Sequence, residues 1–217
     1  MPSIRVNGTE IYYEEHGSGD EAIVFSHGLL FDHRMFDRQV AVFRDRYRCI
    51  AYDHRGQGWS ETPEGPVADI ETVYEDAAAL LEALGAVPCH FAGVSMGGFV
   101  GMRLAARRPE MLRSLILINT APDPEPDENV PRYRKLNLVA RWLGPRLVAG
   151  RVLPVMTGES TRNDPNRASE VREWKRRIGR NRRSIYKAVN GVMQRDGVEE
   201  ELGRVSTPTL VLAGEED

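Results

Sequence analysis

An α/β fold, a mostly parallel sheet with helices on both faces, is what the amino-acid sequence predicts, and three observations carry that prediction. Short apolar runs rich in Ile, Val, Phe and Tyr alternate with amphipathic helical patterns up to about residue 119, and such strand-helix-strand alternation leads to parallel pairing through right-handed crossovers. The 217 residues are ample for one hydrophobic core and fit one domain carrying an insertion. A proline-rich break near Pro122 is followed by helical sequence, and an apolar strand then returns at 209–213.

In chain order, residues 3–6 and 10–15 read as a hairpin turned by Asn7-Gly8. Residues 22–26 and 48–53 are apolar strands, and Met35, Phe36, Val40 and Phe43 recur between them at helical spacing. Ile70, Val73, Ala77, Leu80, Leu81 and Leu84 form one apolar helical stripe, with Asp69 placed to cap its start and Gly85 to end it. Then come a strand at 89–94, a helix at 96–107 stopped by Pro109, and a strand at 114–119. Pro122, Pro124, Pro126 and Pro131, mixed with acidic residues, form a surface excursion. Helical pieces follow at 131–143, from Pro145, at 165–178 and at 182–195. The expected organisation is a core at 1–121, a helical lid or cap at 122–206, and a core strand within 207–217 that returns to the sheet.

Composition removes several classes of function. With 41% hydrophobic and 28% charged residues the chain is neither disordered nor low in complexity. No apolar run approaches the roughly 20 residues needed to span a bilayer, and residues 1–10 have no basic and apolar secretory pattern, so a cytoplasmic protein is expected. Cys49 and Cys89 lie in apolar strand-like stretches and read as buried free thiols. No Cys/His metal-ligand spacing occurs, so no metal and no cofactor is expected. Residues 125–204 hold 18 Lys and Arg against 11 Asp and Glu, whereas the rest of the chain holds 11 against 21. A basic segment thus sits in an acidic body. It reads either as a solvated arginine-rich helix pair or as a landing surface for an anionic or carrier-bound substrate. An acidic body without an aromatic stacking platform argues against nucleic acid.

The chemistry concentrates at three loops. Gly93-Val94-Ser95-Met96-Gly97 lies between a strand and a helix, which puts Ser95 on a tight strand-to-helix turn at the carboxyl end of the sheet. A Cβ at Gly93 or Gly97 would press on the neighbouring helix or strand. The helix start behind Ser95 points free N–H groups at the site, the Met96 N–H being placed to stabilise an oxyanion. His27-Gly28-Leu29 follows another strand to the same sheet edge; the Leu29 N–H reads as the second donor and His27 as part of a buried polar network. The polar turn 53–60 reads as support for its neighbours. Apolar residues of the lid (Leu138, Trp142, Leu143, Leu147, Val152, Leu153, Met156 and Met193) fit either an acyl pocket or the lid's own core.

Together, His27-Gly28, Asp53-His-Arg-Gly-Gln-Gly-Trp-Ser60 and Gly93-Val-Ser-Met-Gly-Gly98 resemble, in order and spacing, the α/β-hydrolase fold superfamily. The stretch 93–109 is similar to the lid-bearing carboxylesterases, enol-lactonases and cofactor-free haloperoxidase-like enzymes. The resemblance implies Ser95 as nucleophile, Asp217 as the acid that orients the base, and the N–H groups of Leu29 and Met96 as oxyanion hole, supported by His27, Gly28, Gly93 and Gly97. It also implies a small-molecule ester or lactone cleaved through an acyl-serine intermediate; the alternatives are a cofactor-free haloperoxidase or perhydrolase, and a catalytically silent ligand-binding member or fragment. Nothing in the sequence fixes an oligomeric state.

The sequence departs from the family's Ser, Asp or Glu, His order. All five histidines (His16, His27, His33, His54 and His90) precede Ser95, and a serine without a base is hardly nucleophilic near neutral pH. His33, next to the oxyanion loop, is the nearest substitute. The expectation is a hydrolase impaired by the missing histidine and truncated after the acid of the triad, without the last strand and helices of the fold.

Overall fold

The computed structural model describes residues 2–216. The chain opens with a hairpin of β1 (Ser3–Val6) and β2 (Thr9–His16), paired antiparallel. Its turn is the Asn-Gly pair, with φ of 44° at Asn7 and 72° at Gly8, the left-handed geometry that matches the twist of the strands. Five further strands follow: β3 (Ala22–Ser26), β4 (Arg48–Tyr52), β5 (Cys89–Val94), β6 (Leu112–Ile118) and β7 (Thr209–Leu212). They form one sheet in the order β1-β2-β4-β3-β5-β6-β7. From β4 to β7 all neighbours are parallel, so the sheet is mostly parallel as the sequence predicts.

The alternation along each strand sorts its side chains to two faces. Val24, Ile50 and Phe91 join one core with α2 (Ile70–Ala83) and α3 (Met96–Arg107). Ile23, Phe25, Cys49, Ala51 and Ala92 point the other way and pack on α1 (Asp37–Phe43) through Phe36 and Val40. Helices therefore cover both faces. The apolar stripe of α2 is buried along its length, and its start is fixed by Asp69, whose carboxylate accepts the Thr72 N–H at 2.7 Å. Cys49 and Cys89 are buried free thiols, and burial pushes the Cys89 thiol up to about 12.

Between β6 and β7 runs a helical segment: α4 (Val130–Leu143), α5 (Ala149–Val152), α6 (Glu159–Asn163), α7 (Ala168–Arg180) and α8 (Tyr186–Met193). The pieces expected from Pro145 and Pro165 begin as 3-10 turns. Helix α6 has no apolar period and escaped sequence reading. The segment docks on the core where Ala149, Leu153 and Ile178 bury Phe31. Leu138, Trp142, Leu143 and Leu147 instead face outward, so half of the apolar residues counted as pocket or core are neither.

The segment is fixed at its neck. The Val198 N–H donates to the Pro122 carbonyl at 2.8 Å, joining the outgoing and returning chain. Arg195 donates to the Asp123 carbonyl at 3.1 Å and to Glu125 at 2.8 Å. Arg103 on α3, 1% exposed, donates to Glu71 on α2 at 2.6 Å and to the Asp196 carbonyl at 2.8 Å. Glu71 keeps Arg107 when Arg103 is lost, but the Asp196 carbonyl loses this charged donor, so Arg103→Leu should lower the unfolding free energy by about 1.5–3 kcal/mol in urea denaturation; an unchanged midpoint and slope would refute that role.

A pH dependence also follows from the core. His54 is fully enclosed, and burial, with the neighbouring His27, holds its pKa well below the ordinary value. A group depressed in this way contributes stability that is complete above its unfolded value near pH 6.5 and is lost as the pH falls below it. His54→Gln should therefore flatten the decline of stability between pH 6.5 and 5 by up to about 1.4 kcal/mol per pH unit. Parallel pH profiles for the two proteins would rule this out.

Candidate active site

Strands β3, β4, β5 and β6 all end at one edge of the sheet, and the loops that follow them meet there. Ser95 sits between β5 and α3 with φ 49° and ψ −111°, a conformation sparsely populated for any residue with a side chain. Hydrogen bonds hold it: its N–H donates to the Ile118 carbonyl at 2.9 Å, and its own carbonyl accepts from the Thr120 hydroxyl at 2.9 Å and from the Gly98 and Phe99 N–H groups. The flanking glycines are needed for close approach. A Cβ on Gly93 would lie 2.3 Å from the Gly97 carbonyl oxygen, and one on Gly97 would lie 2.0 Å from that of Ser26. The Ser95 hydroxyl has no hydrogen-bond partner among the described residues, and Ser95 lines a cavity of about 710 Å³.

The turn after β3 abuts this elbow, since a Cβ on Gly28 would stand 3.6 Å from the Ser95 Cβ. Neither the Leu29 N–H nor the Met96 N–H has an acceptor among the described residues. His27 fixes the local backbone. Its Nε2 accepts the His54 N–H at 3.1 Å, which makes Nδ1 the protonated nitrogen, and Nδ1–H donates to the Gly28 carbonyl at 2.8 Å. Burial lowers the His27 pKa, against the pull of Asp53. The ring therefore stays neutral.

Asp53, at the end of β4, is fully buried and acts as the hub. Its carboxylate accepts the His33 N–H at 2.7 Å, the His33 Nδ1–H at 2.9 Å and the Trp59 N–H at 2.8 Å. Burial opposes charge on His33, but the hydrogen bond and charge of Asp53, with Asp32 and Glu14, outweigh it and raise its pKa. Gln57, from the same turn, accepts the Leu30 N–H at 2.8 Å and donates to the Met96 sulfur at 3.3 Å. One side chain thereby spaces the loop of Leu29 from the start of α3. The motif 53–60 marks this turn, but only the structure shows that Gln57 bridges the two loops.

No described histidine reaches Ser95. His33 is committed to Asp53, His27 and His54 to each other's backbone, His16 to Glu14 and His90 to Ser114. Asp217 lies outside the described residues. The turn before it is near the site, for the Gly214 N–H donates to Asn119 Oδ1 at 3.3 Å, just beyond β6.

The helical segment supplies the far wall of the cavity, which includes Tyr133, Asn137, Val152, Met156, Trp174 and Met193. Two contacts invisible in the sequence hold that wall over the loops: Asn181 donates to the Leu30 carbonyl at 2.8 Å, and Arg182 to the Ser60 carbonyl at 2.7 Å. Among the described residues no group of three His, Cys, Asp or Glu side chains is placed to hold a metal ion, and no helix is long and apolar enough to cross a membrane.

Comparison with known proteins places this arrangement. An enol-lactonase from Burkholderia xenovorans LB400 superposes with a TM-score of 0.89 at 28% identity, over 99% of this chain and 81% of that one. A thermophilic esterase from Thermogutta terrifontis, solved with malate bound, gives 0.88 at 29% identity over 99% of this chain and 80% of its own. In sequence, the chain is 41% identical over 110 residues to 3-oxoadipate enol-lactonase 2 of Acinetobacter baylyi, a match that takes in 50% of this chain and 41% of that relative. The chain's match thus spans less than half the length of that curated relative. The family described as serine aminopeptidase, S33, matches residues 17–217, and the chain belongs to that family of α/β-hydrolases.

Proposed function

We propose that this chain carries the nucleophile of a serine hydrolase acting on a small carboxylic ester or lactone, with residues 122–206 as the lid over its substrate cavity. The observation that carries the reading is the hydroxyl of Ser95, held at φ 49° in a cavity of about 710 Å³, beside two backbone N–H groups with no acceptor among the described residues. A strained turn fixed by three backbone hydrogen bonds and one from the Thr120 hydroxyl holds Ser95 in one place before any ligand arrives. Names of relatives support the substrate class, since they include enol-lactonases and an esterase.

In this mechanism the Ser95 Oγ attacks the substrate carbonyl carbon, and the carbonyl π electrons move to its oxygen. The Leu29 and Met96 N–H groups then donate to the oxyanion, strengthened by the start of α3. Collapse re-forms the carbonyl and breaks its bond to the alcohol oxygen, which takes up the proton released from Oγ, and the acyl-serine left behind is hydrolysed by water. The proton on Oγ needs an acceptor. None of the five histidines is hydrogen-bonded to Ser95, so the 217-residue chain turns over slowly, with Asp217 proposed as the acid that would orient a histidine supplied from elsewhere.

Chemical rescue tests this reading. Imidazole added to the 217-residue chain should raise p-nitrophenyl butyrate hydrolysis above the sum of the two separate rates, and Ser95→Ala should abolish the excess. Butyrate should also exceed acetate in kcat/KM by about tenfold, because two more methylenes enter an apolar cavity. An excess that persists in Ser95→Ala would remove Ser95 from the chemistry, and no excess in either protein would favour a silent ligand-binding member of the fold.

A further inference from the structure

Helix α4 has two apolar faces, and the fold covers one of them. Inside, Leu136 and Ala140 line the cavity. Outside, Leu138 and Trp142 stand one helical turn apart, with Leu143 and Leu147 just beyond, and all four are 51–64% exposed. A helix packed on a protein core ordinarily gives that face to polar groups. None of the four lines the cavity, so the substrate does not account for them.

The charges around this ridge are of one sign. Residues 129–158 contain Arg132, Arg134, Lys135, Arg141, Arg146 and Arg151 and no Asp or Glu. All six are exposed, and none has a carboxylate partner among the described residues, whereas Arg167, Arg176, Arg177 and Arg195 of the same segment are paired. Arg141 lies over the Trp142 ring at 5.1 Å and the Tyr186 ring at 4.4 Å. Arg132, Lys135 and Arg151 border an open depression of about 690 Å³ between α4 and α5, against a single carboxylate, Glu128. At its rim, the Lys175 Nζ would lie 3.4 Å from a Cβ on Gly150.

We propose that the outer face of α4 and the turn after it dock on an anionic phospholipid surface, the ridge of Leu138, Trp142, Leu143 and Leu147 entering the boundary of headgroups and acyl chains while the surrounding cations meet lipid phosphates. The contact is peripheral, since no helix of the described residues is long and apolar enough to cross a membrane. Charge decides among the possible occupants. A second copy on a two-fold axis would set the six cations against the same six, with no carboxylate in 129–158 to offset them. In a protein interface, charged residues are depleted from the core and kept to the rim, but here Lys135 and Arg141 stand among the apolar side chains. A lipid surface takes both together, because long basic side chains reach back to the phosphates while their apolar neighbours go deeper. Tryptophan is suited to the same boundary, with an apolar body and one polar edge. The proposal does not rest on the chemistry at Ser95.

Co-sedimentation of the 217-residue chain with vesicles tests it. Vesicles of phosphatidylcholine and phosphatidylglycerol in equal parts should bind at least about a hundredfold more tightly than phosphatidylcholine alone. Leu138→Ser with Trp142→Ser should weaken binding to the mixed vesicles about tenfold, and Arg141→Gln with Arg146→Gln should lower the preference for them about tenfold. The comparison of the two vesicles on the unaltered chain decides the matter even if a variant fails to fold. Equal binding to both vesicles, no binding to either, or binding that survives both pairs of substitutions overturns the proposal. So do the two rival occupants: a dimer that Trp142→Ser dissolves, seen by sedimentation velocity without lipid, assigns the ridge to a second copy, and binding of polyglutamate in place of either vesicle assigns it to an acidic protein. None of these results bears on Ser95, which imidazole rescue tests separately.

Discussion

A carboxylate removed from water must be fully hydrogen-bonded, and the buried Asp53 is the point from which the rest of the site is positioned. Its oxygens take up two N–H groups from separate loops and a histidine ring. Once the loop at His33 and the turn at Trp59 are fixed to one group, Gln57 can span from Leu30 to Met96. The free N–H of Leu29 is thereby kept at a set distance from the turn that bears Ser95. Little of this is catalytic in itself. In the proposed mechanism it holds two loops so that their N–H groups form a fixed pair of donors, which is what stabilising a short-lived oxyanion requires.

Legibility in the sequence followed how local the physical cause was. The Asn-Gly hairpin, the Asp69 cap of α2 and the glycines around Ser95 could be read because the constraint lies within a few residues of the letter that reports it. Gly97 is needed because the backbone of β3 passes too close for a Cβ, and the strand-to-helix context already implied that crowding. The partition of the apolar residues between 130 and 193 was not readable. Val152 and Met156 line the cavity whereas Trp142 and Leu147 face outward, and that division depends on how α4 and α5 lie against the loop at Phe31. The burial of Asn137 was equally hidden, since its partners Tyr186 and Asn190 lie some fifty positions away.

The charge asymmetry of the sequence acquires a partly structural explanation. Arg176 and Arg177 pair with Glu173 within the basic segment, and Arg195 pairs with Glu125. Others reach the acidic body: Arg182 donates to the Ser60 carbonyl, Lys187 to those of Pro63 and Glu64, and Arg107 of the body meets Glu201. Two of the segment's basic side chains, Arg182 and Lys187, thus fasten it to carbonyl oxygens of the core. Exposed contacts of this kind are individually weak, but here they act on one rigid segment together.

The fastening falls at more than one place. At the neck, the two crossings are joined by the Pro122 to Val198 backbone bond, and Arg103 clamps the returning chain to the helix that starts at Ser95. Elsewhere the segment is held by side-chain contacts to loop carbonyls from Asn181, Arg182 and Lys187, and by the Ala68 N–H, which donates to the Lys187 carbonyl at 3.0 Å. The loop that carries the Leu29 N–H is therefore tied on two sides, by Gln57 from the turn after β4 and by Asn181 from the helical segment, so a change in how that segment sits is felt first at Leu30.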